Sequence, residues 1–366
     1  MLCQDDTYYL HLLMRLFKLT LLLLGICLIS CKKKKIEETP DIPVDFFQNG
    51  LLVVNEGLFQ QNNSTLSWID FSTDNINNSV FEQKTNRQLG DTGNDIGRYG
   101  NKIYIVVNVS STIEILDAKS GNPIKQLQMT TNGVPKQPRF IEFANGKAFV
   151  SCFDGYVDVI DTLSLEVTQR IPVGANPDGI HLSNNKLYVA NSGGLNFPDI
   201  DSTLSVIDPF SLTESNRIVV GKNPQRVISD SNGDLYVITQ EGLNSLRSQL
   251  VKVNHHTLTV DTVYAWQVNR MEKMNTHLIL YISTPGSSSI KLFDTQTGTI
   301  VNQNFIDTGL FTTFFGIQYD TSRNRIYCFD AMGYVNSGYV RIFSSNGTHL
   351  KNHKTGLNPS KLLSYE

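Results

Sequence analysis

Cysteine is scarce in this chain, with five in 366 residues, and no two of them form a CxxC pair. A zinc ribbon and a dithiol redox site are therefore excluded. An excess of one charge is also missing. The 31 Lys and Arg against 34 Asp and Glu leave a formal charge of −3. That excludes a nucleic-acid binder working through a strong basic field. No long run of Ala, Glu, Lys and Leu suggests a helical bundle. There is no GxSxG, HExxH, GxxxxGK[ST] or EF-hand loop. What is present is 26 Gly, 14 Tyr and 19 Phe, with 18% charged residues. This balance favours strands and turns and is wrong for disorder. A chain of this length buries roughly three quarters of its unfolded surface, so it needs no disulfide or metal to hold a core.

The N-terminus reads as an address. From Met14, Arg15 and Lys18 form a basic region, Leu19 to Ile29 an apolar run, and Leu28-Ile29-Ser30-Cys31 a lipobox-like end. The run is too short to span a bilayer, which suits a signal peptide. Asp5 and Asp6 are foreign to a basic leader, so the expected start is Met14. Diacylglycerol on the Cys31 thiol, with further acyl chains, would anchor the chain to a membrane at ~0.8 kcal/mol per buried CH₂. Lys32 to Lys35, Glu37, Glu38, Pro40 and Pro43 read as a solvated tether. The expected division is a leader at 1–30, a tether at 31–48 and a folded body at 49–366. Of the five cysteines, only Cys152 and Cys328 fall in the body, both as buried thiols.

The body repeats one unit. NPDGIHLSNNKLYVAN followed by STLSVIDPFSLTESNRIVVGKNP aligns with QPRFIEFANGKAFVSC followed by YVDVIDTLSLEVTQRIPVGANP. Anchors of the second strand fall at Leu52, Tyr104, Phe149, Tyr188, Tyr236, Tyr281 and Tyr327, spaced 39 to 52 residues apart. Four short apolar runs per unit, joined by hairpin turn signals, describe a blade. The first unit lacks its opening strand, and the chain ends in GLNPSKLLSYE, an opening strand with no successor. Ser360 to Tyr365 should therefore pair with Leu51 to Asn55. The fold class is all-β: a seven-bladed β-propeller of four-stranded blades, closed by the C-terminal strand joining the N-terminal blade.

LYVAN, LSVIDPFSL and IVVGKNP resemble the YVxN, VxVID and IxVGxxP pattern of the YVTN/YncE-like propeller family. VNEG (Val54 to Gly57) and LGDTGND (Leu89 to Asp95) resemble the surface-layer-type propeller lipoproteins of Bacteroidota. Some members of that group capture cobalamin and pass it to a TonB-dependent transporter. The resemblance implies an outer-membrane lipoprotein, facing either the cell surface or the periplasm.

Turns entering the inner strands and leaving the second strands share one face. There the expected ligand-binding residues are Asn55, Glu56, Asp95, Arg139, Phe153, Asp178, Asn191, Arg226, Gln240, Arg270, Phe315 and Asp330. Phe314 and Phe329 are expected beside them. Insertions at 57–64, 192–202, 241–249 and 331–338 lengthen loops on that face, and Phe59, Phe197 and Tyr334 can cap a flat ligand. Asp70, Asp117, Asp161, Asp208 and Asp294 recur at third-strand ends, which implies a turn role. His181 reads as a wall histidine, and His349 with His353 lie too far apart along a strand for a metal pair.

The expectation is a non-enzymatic, membrane-anchored ligand binder, with no cofactor, no metal and no nucleic acid. Its partners would be a small molecule, cobalamin by resemblance, or an outer-membrane transporter. A protein- or glycan-binding scaffold is the alternative. A propeller lyase needs a His–Glu–metal group at the mouth, and a quinoprotein needs tryptophan-rich blades. Only Trp68 and Trp266 are present.

Overall fold

Alternation of apolar and polar residues puts one face of each strand against the next blade, and Asn, Gly and Asp turns reverse the chain between strands. The result, in a computed structural model that describes residues 46–240 and 248–366, is seven four-stranded antiparallel sheets. The leader, Cys31, the tether to residue 45 and the loop 241–247 lie outside the described residues. Counting from the N-terminus, the inner strands are Pro359–Tyr365 for blade 1, Gly93–Tyr99 for blade 2 and Pro138–Ala144 for blade 3. Blades 4 to 7 begin with Pro177–Ser183, Pro224–Ser229, Val268–Met274 and Phe314–Asp320.

Ring closure follows the expected register. Leu51 lies opposite Ser364, Val53 opposite Leu362 and Asn55 opposite Pro359. This zipper gives the strand Gly50–Asn55 a partner on both sides. Arg323 clamps the seam by donating to Ser364 Oγ at 3.0 Å, to Asn49 Oδ1 at 3.1 Å and to the Tyr365 carbonyl. Phe47 also packs there, its ring 5.0 Å from Trp68 and 5.4 Å from Tyr365. The folded body thus takes in Phe46 and Phe47, just before the first repeat.

The second-strand anchors fill the spaces between blades. Tyr104, Phe149, Tyr188, Tyr236 and Tyr327 are fully buried, each such burial contributing ~1.5–3 kcal/mol. Blade 1 departs from the four-run pattern. Its outer strand is only Ile76–Asn77, and the chain then forms a short helix, Val80–Thr85. Adjacent Val80 and Phe81 both face the core, which a strand would forbid, and Asn86 ends the helix in a left-handed conformation.

Each inner strand carries a β-bulge just after its first paired residue, as between Gly93 and Asp95, Pro224 and Arg226, and Val268 and Arg270. A bulge re-aims the following side chain, and seven of them at one mouth set the geometry of the channel wall.

Candidate ligand site

Past the bulge, one residue from every blade faces the channel. In blade order these are Lys361, Asp95, Phe140, Gly179, Arg226, Arg270 and Gly316, and all seven line a single cavity of about 320 Å³. Two residues further on, strand alternation brings Glu142, His181 and Glu272 to the same wall. The upper ring therefore carries three cations and one carboxylate, and the lower level carries two carboxylates and a histidine. Gly179 is needed where it stands: a Cβ there would lie 2.5 Å from the Gln225 carbonyl of the next blade.

Glu56, from the turn that leaves the second strand of blade 1, hangs over the upper ring. It is half-buried, with protein around it and the cavity beneath it. Burial raises its carboxyl to about 7, against the opposing pull of Arg139, Arg270 and Arg226. Burial also raises Asp95 and Glu272, with Lys361 opposing both. Arg270 is pushed down by burial and then by Arg226, a like charge nearby.

The three arginines differ in their partners. Arg139 is satisfied: its Nε donates to Asp178 Oδ1 at 2.9 Å, its Nη1 to Asn94 Oδ1 at 2.5 Å, and its guanidinium lies 4.7 Å from the Phe153 ring centre. Among the described residues the Arg270 side chain donates to backbone alone, to the carbonyls of Phe315 and Asn269, both at 2.8 Å. The Arg226 guanidinium lies 4.4 Å from the Phe140 ring centre and donates to no protein atom among the described residues. Below them, His181 Nε2 accepts from the Ser229 amide at 3.1 Å, which leaves the ring proton on Nδ1, 3.7 Å from Glu142 Oε1. It stands on the channel wall beside Glu142.

Of the residues expected at the mouth, Glu56, Asp95, Arg226, Arg270 and Phe315 line the cavity. Arg139, Asp178 and Phe153 form a cluster beside it. Gln240 accepts from Gln225 Nε2 at 2.8 Å. The remaining three are fully buried within their blades. Asn55 donates to Ser67 Oγ, and Asn191 donates to Thr203 Oγ1 and Ser205 Oγ, bracing second strand to third. Asp330 accepts from the amides of Thr312, Thr313 and Met332 and pairs with Arg341. Phe329 too lies in the core instead of at the mouth, because it alternates inward on its strand. Lys361, which enters an inner strand at the expected face, also lines the cavity, while Phe140, Glu142 and Glu272 are cavity residues that the turn-based expectation of the site left out. Counting two and four residues from the first position of each inner strand would have found them.

Phe59, Phe197 and Tyr334 are exposed, and Tyr334 meets Phe315 edge-on at 5.8 Å. Tyr281 breaks the anchor pattern. It is only half-buried and stacks on Phe314 at 4.3 Å, beside a groove of about 390 Å³ between blades 6 and 7. Cys152 and Cys328 are free and buried, and burial pushes both thiols up. Among the described residues, no group of three or more His, Cys, Asp and Glu is placed to hold a metal ion. No described helix is long and apolar enough to cross a membrane.

Seven blades around a charged central cavity define a β-propeller with its candidate site at one channel mouth. The chain belongs to the family described as Domain of unknown function (DUF5074), whose sequence pattern matches residues 49–358. No curated protein matches it. Many solved structures share the fold, three of them as follows. A quinonprotein alcohol dehydrogenase-like protein from Bacteroides thetaiotaomicron is 13% identical at a TM-score of 0.62, over 87% of this chain and 78% of that one. Kuenenia stuttgartiensis hydrazine synthase is 15% identical at 0.58, over 72% and 86%. The dihydro-heme d1 dehydrogenase NirN is 11% identical at 0.55, over 88% and 75%. At these identities the likeness is one of architecture.

Proposed function

We propose that this chain is a non-enzymatic, YncE-like lipoprotein, lipidated at Cys31 and held at the outer membrane. It captures a small ligand in its channel mouth and presents it to a transporter. The observation that carries this reading is the upper ring. Among the described residues Arg226 and Arg270 form no ion pair with a carboxylate, and they lie beside Phe140 and Phe315 and line an open cavity. Guanidinium donors and aromatic faces with vacant bonding capacity suit a large ligand rich in amides and other acceptors. A corrinoid such as cobalamin fits that description, and the resemblance of VNEG and LGDTGND supports it. The cavity holds one corner of so large a ligand, and Phe59, Phe197 and Tyr334 on the surrounding loops can cover the rest.

Calorimetry with cobalamin and with cobinamide tests the reading. Saturable heat at micromolar protein supports it, and no heat with either removes the corrinoid. A second reading, a scaffold for protein or glycan, draws on the exposure of Phe197, Tyr334 and Val335. It is favoured if those side chains matter for binding while Arg226 and Arg270 do not.

A further inference from the structure

The upper ring concentrates positive charge in a way the fold does not require. Inner strands of other blades place Phe140, Gly179 and Gly316 at the equivalent position, so strand pairing and blade packing tolerate neutral residues there. Blades 5, 6 and 1 instead supply Arg226, Arg270 and Lys361. Neither the Arg226 nor the Lys361 side chain donates a hydrogen bond within the described protein, and the Arg270 side chain donates there to two carbonyls. Nearby like charges repel in a confined cavity, and among the described residues Glu56 is the cavity carboxylate on which Arg139, Arg270 and Arg226 all act. Asp95 and Glu272 are opposed first by Lys361 and then also by Arg226. Asp95 Oδ2 accepts from the Ile141 amide at 3.0 Å, while its Oδ1 is buried without a partner.

We propose that Arg226, Arg270 and Lys361 form an oxyanion subsite that receives a phosphate or carboxylate group of the captured ligand, with Glu56 as the internal competitor for the arginines. The inference deepens the ligand-capture reading and rests on it. Guanidinium groups recognise such oxyanions through paired N–H donors, and the free edge of Arg226 is available for this. The bound oxyanion would supply the negative charge that the ring lacks, and Glu56 would be displaced from it or protonated.

The test uses the full chain in detergent, titrated with inorganic pyrophosphate and with citrate by calorimetry, with thermal melting in parallel. The proposal expects saturable binding of at least one anion. Arg226→Gln with Arg270→Gln should weaken it at least tenfold, and Glu56→Gln should tighten it at least threefold. Arg217→Gln, on an outer strand where Arg217 pairs with Glu214 at 2.8 Å, should leave it unchanged. The proposal is overturned if neither anion binds the wild type or Glu56→Gln, or if the folded double variant binds as tightly as wild type. Should the double variant not fold, Glu56→Gln decides: tighter binding supports the subsite, and equal or weaker binding overturns it. Corrinoid capture that proceeds unchanged under saturating pyrophosphate also overturns it, while leaving the capture reading intact. Pyrophosphate binding without capture of either corrinoid keeps the anion subsite and removes the corrinoid as its ligand.

Discussion

The blade interiors and the channel wall draw on the same strands but differ in how they repeat. At the ends of third strands, Asp70, Asp117, Asp161, Asp208 and Asp294 each accept the amide two residues on, at 2.7 to 3.0 Å. Five blades solve one turn problem with one side chain. At the channel ring, the seven equivalent positions hold Lys, Asp, Phe, Gly, Arg, Arg and Gly. Nothing in the backbone asks for that mixture. Repetition marks what each blade needs to fold, and departure from it marks what the assembled ring is for.

That contrast can be broken at several points. The largest effect is expected at the seam. Deleting residues 359–366 removes the inner strand of blade 1 and exposes the strand beginning at Gly50, so cooperative melting by circular dichroism should be lost. Leu362→Ala, at the same fully buried seam, should cost about 3 kcal/mol in denaturant unfolding. Next comes Asp158, fully buried in blade 3, which accepts from Lys136 Nζ at 2.5 Å and Arg170 Nε at 2.6 Å. Asp158→Ala strands a buried ammonium and should cost about 3–5 kcal/mol. Asn191→Ala leaves the Gly174 amide and two hydroxyls short of partners and should cost about 1–3 kcal/mol, with ligand affinity unchanged.

The smallest effect is a pH slope. The Glu56 carboxyl is raised from an ordinary value of 4.5 to about 7 in the folded state. Below both values folded and unfolded chains hold that proton alike. Between them the folded chain holds more, so its stability falls as pH rises from about 4.5 to about 7. Glu56→Gln should remove that part of the slope, measured as the difference between wild-type and variant unfolding free energies across this range. A slope identical in both would show that Glu56 is not held as described.

The fold was legible because repeats expose it. LYVAN and its cognates located the second strands, the recurrent aspartates located the turns, and the incomplete first and last units predicted the seam between Val53 and Leu362. The site was legible in part. Glu56, Asp95, Arg226 and Arg270 were found by their place at strand ends. Asn55, Asn191 and Asp330 were grouped with them because end-of-strand position does not say which way a side chain points. Strand alternation turns those three inward on their second strands, whereas the inner-strand bulge aims the residues that face the channel, and a one-residue bulge leaves no mark in a single sequence. The helix Val80–Thr85 escaped for a related reason: it replaces most of a strand in one blade only, so the repeat argued against it.

The most direct measurement is a paired titration with cobalamin, comparing wild type with Arg226→Gln/Arg270→Gln and with Asn191→Ala. If departures from the repeat make the site, the arginine variant binds at least tenfold more weakly while melting within about 3 °C of wild type. The Asn191 variant then melts lower and binds as before. An arginine variant that binds cobalamin as tightly as wild type would contradict the account.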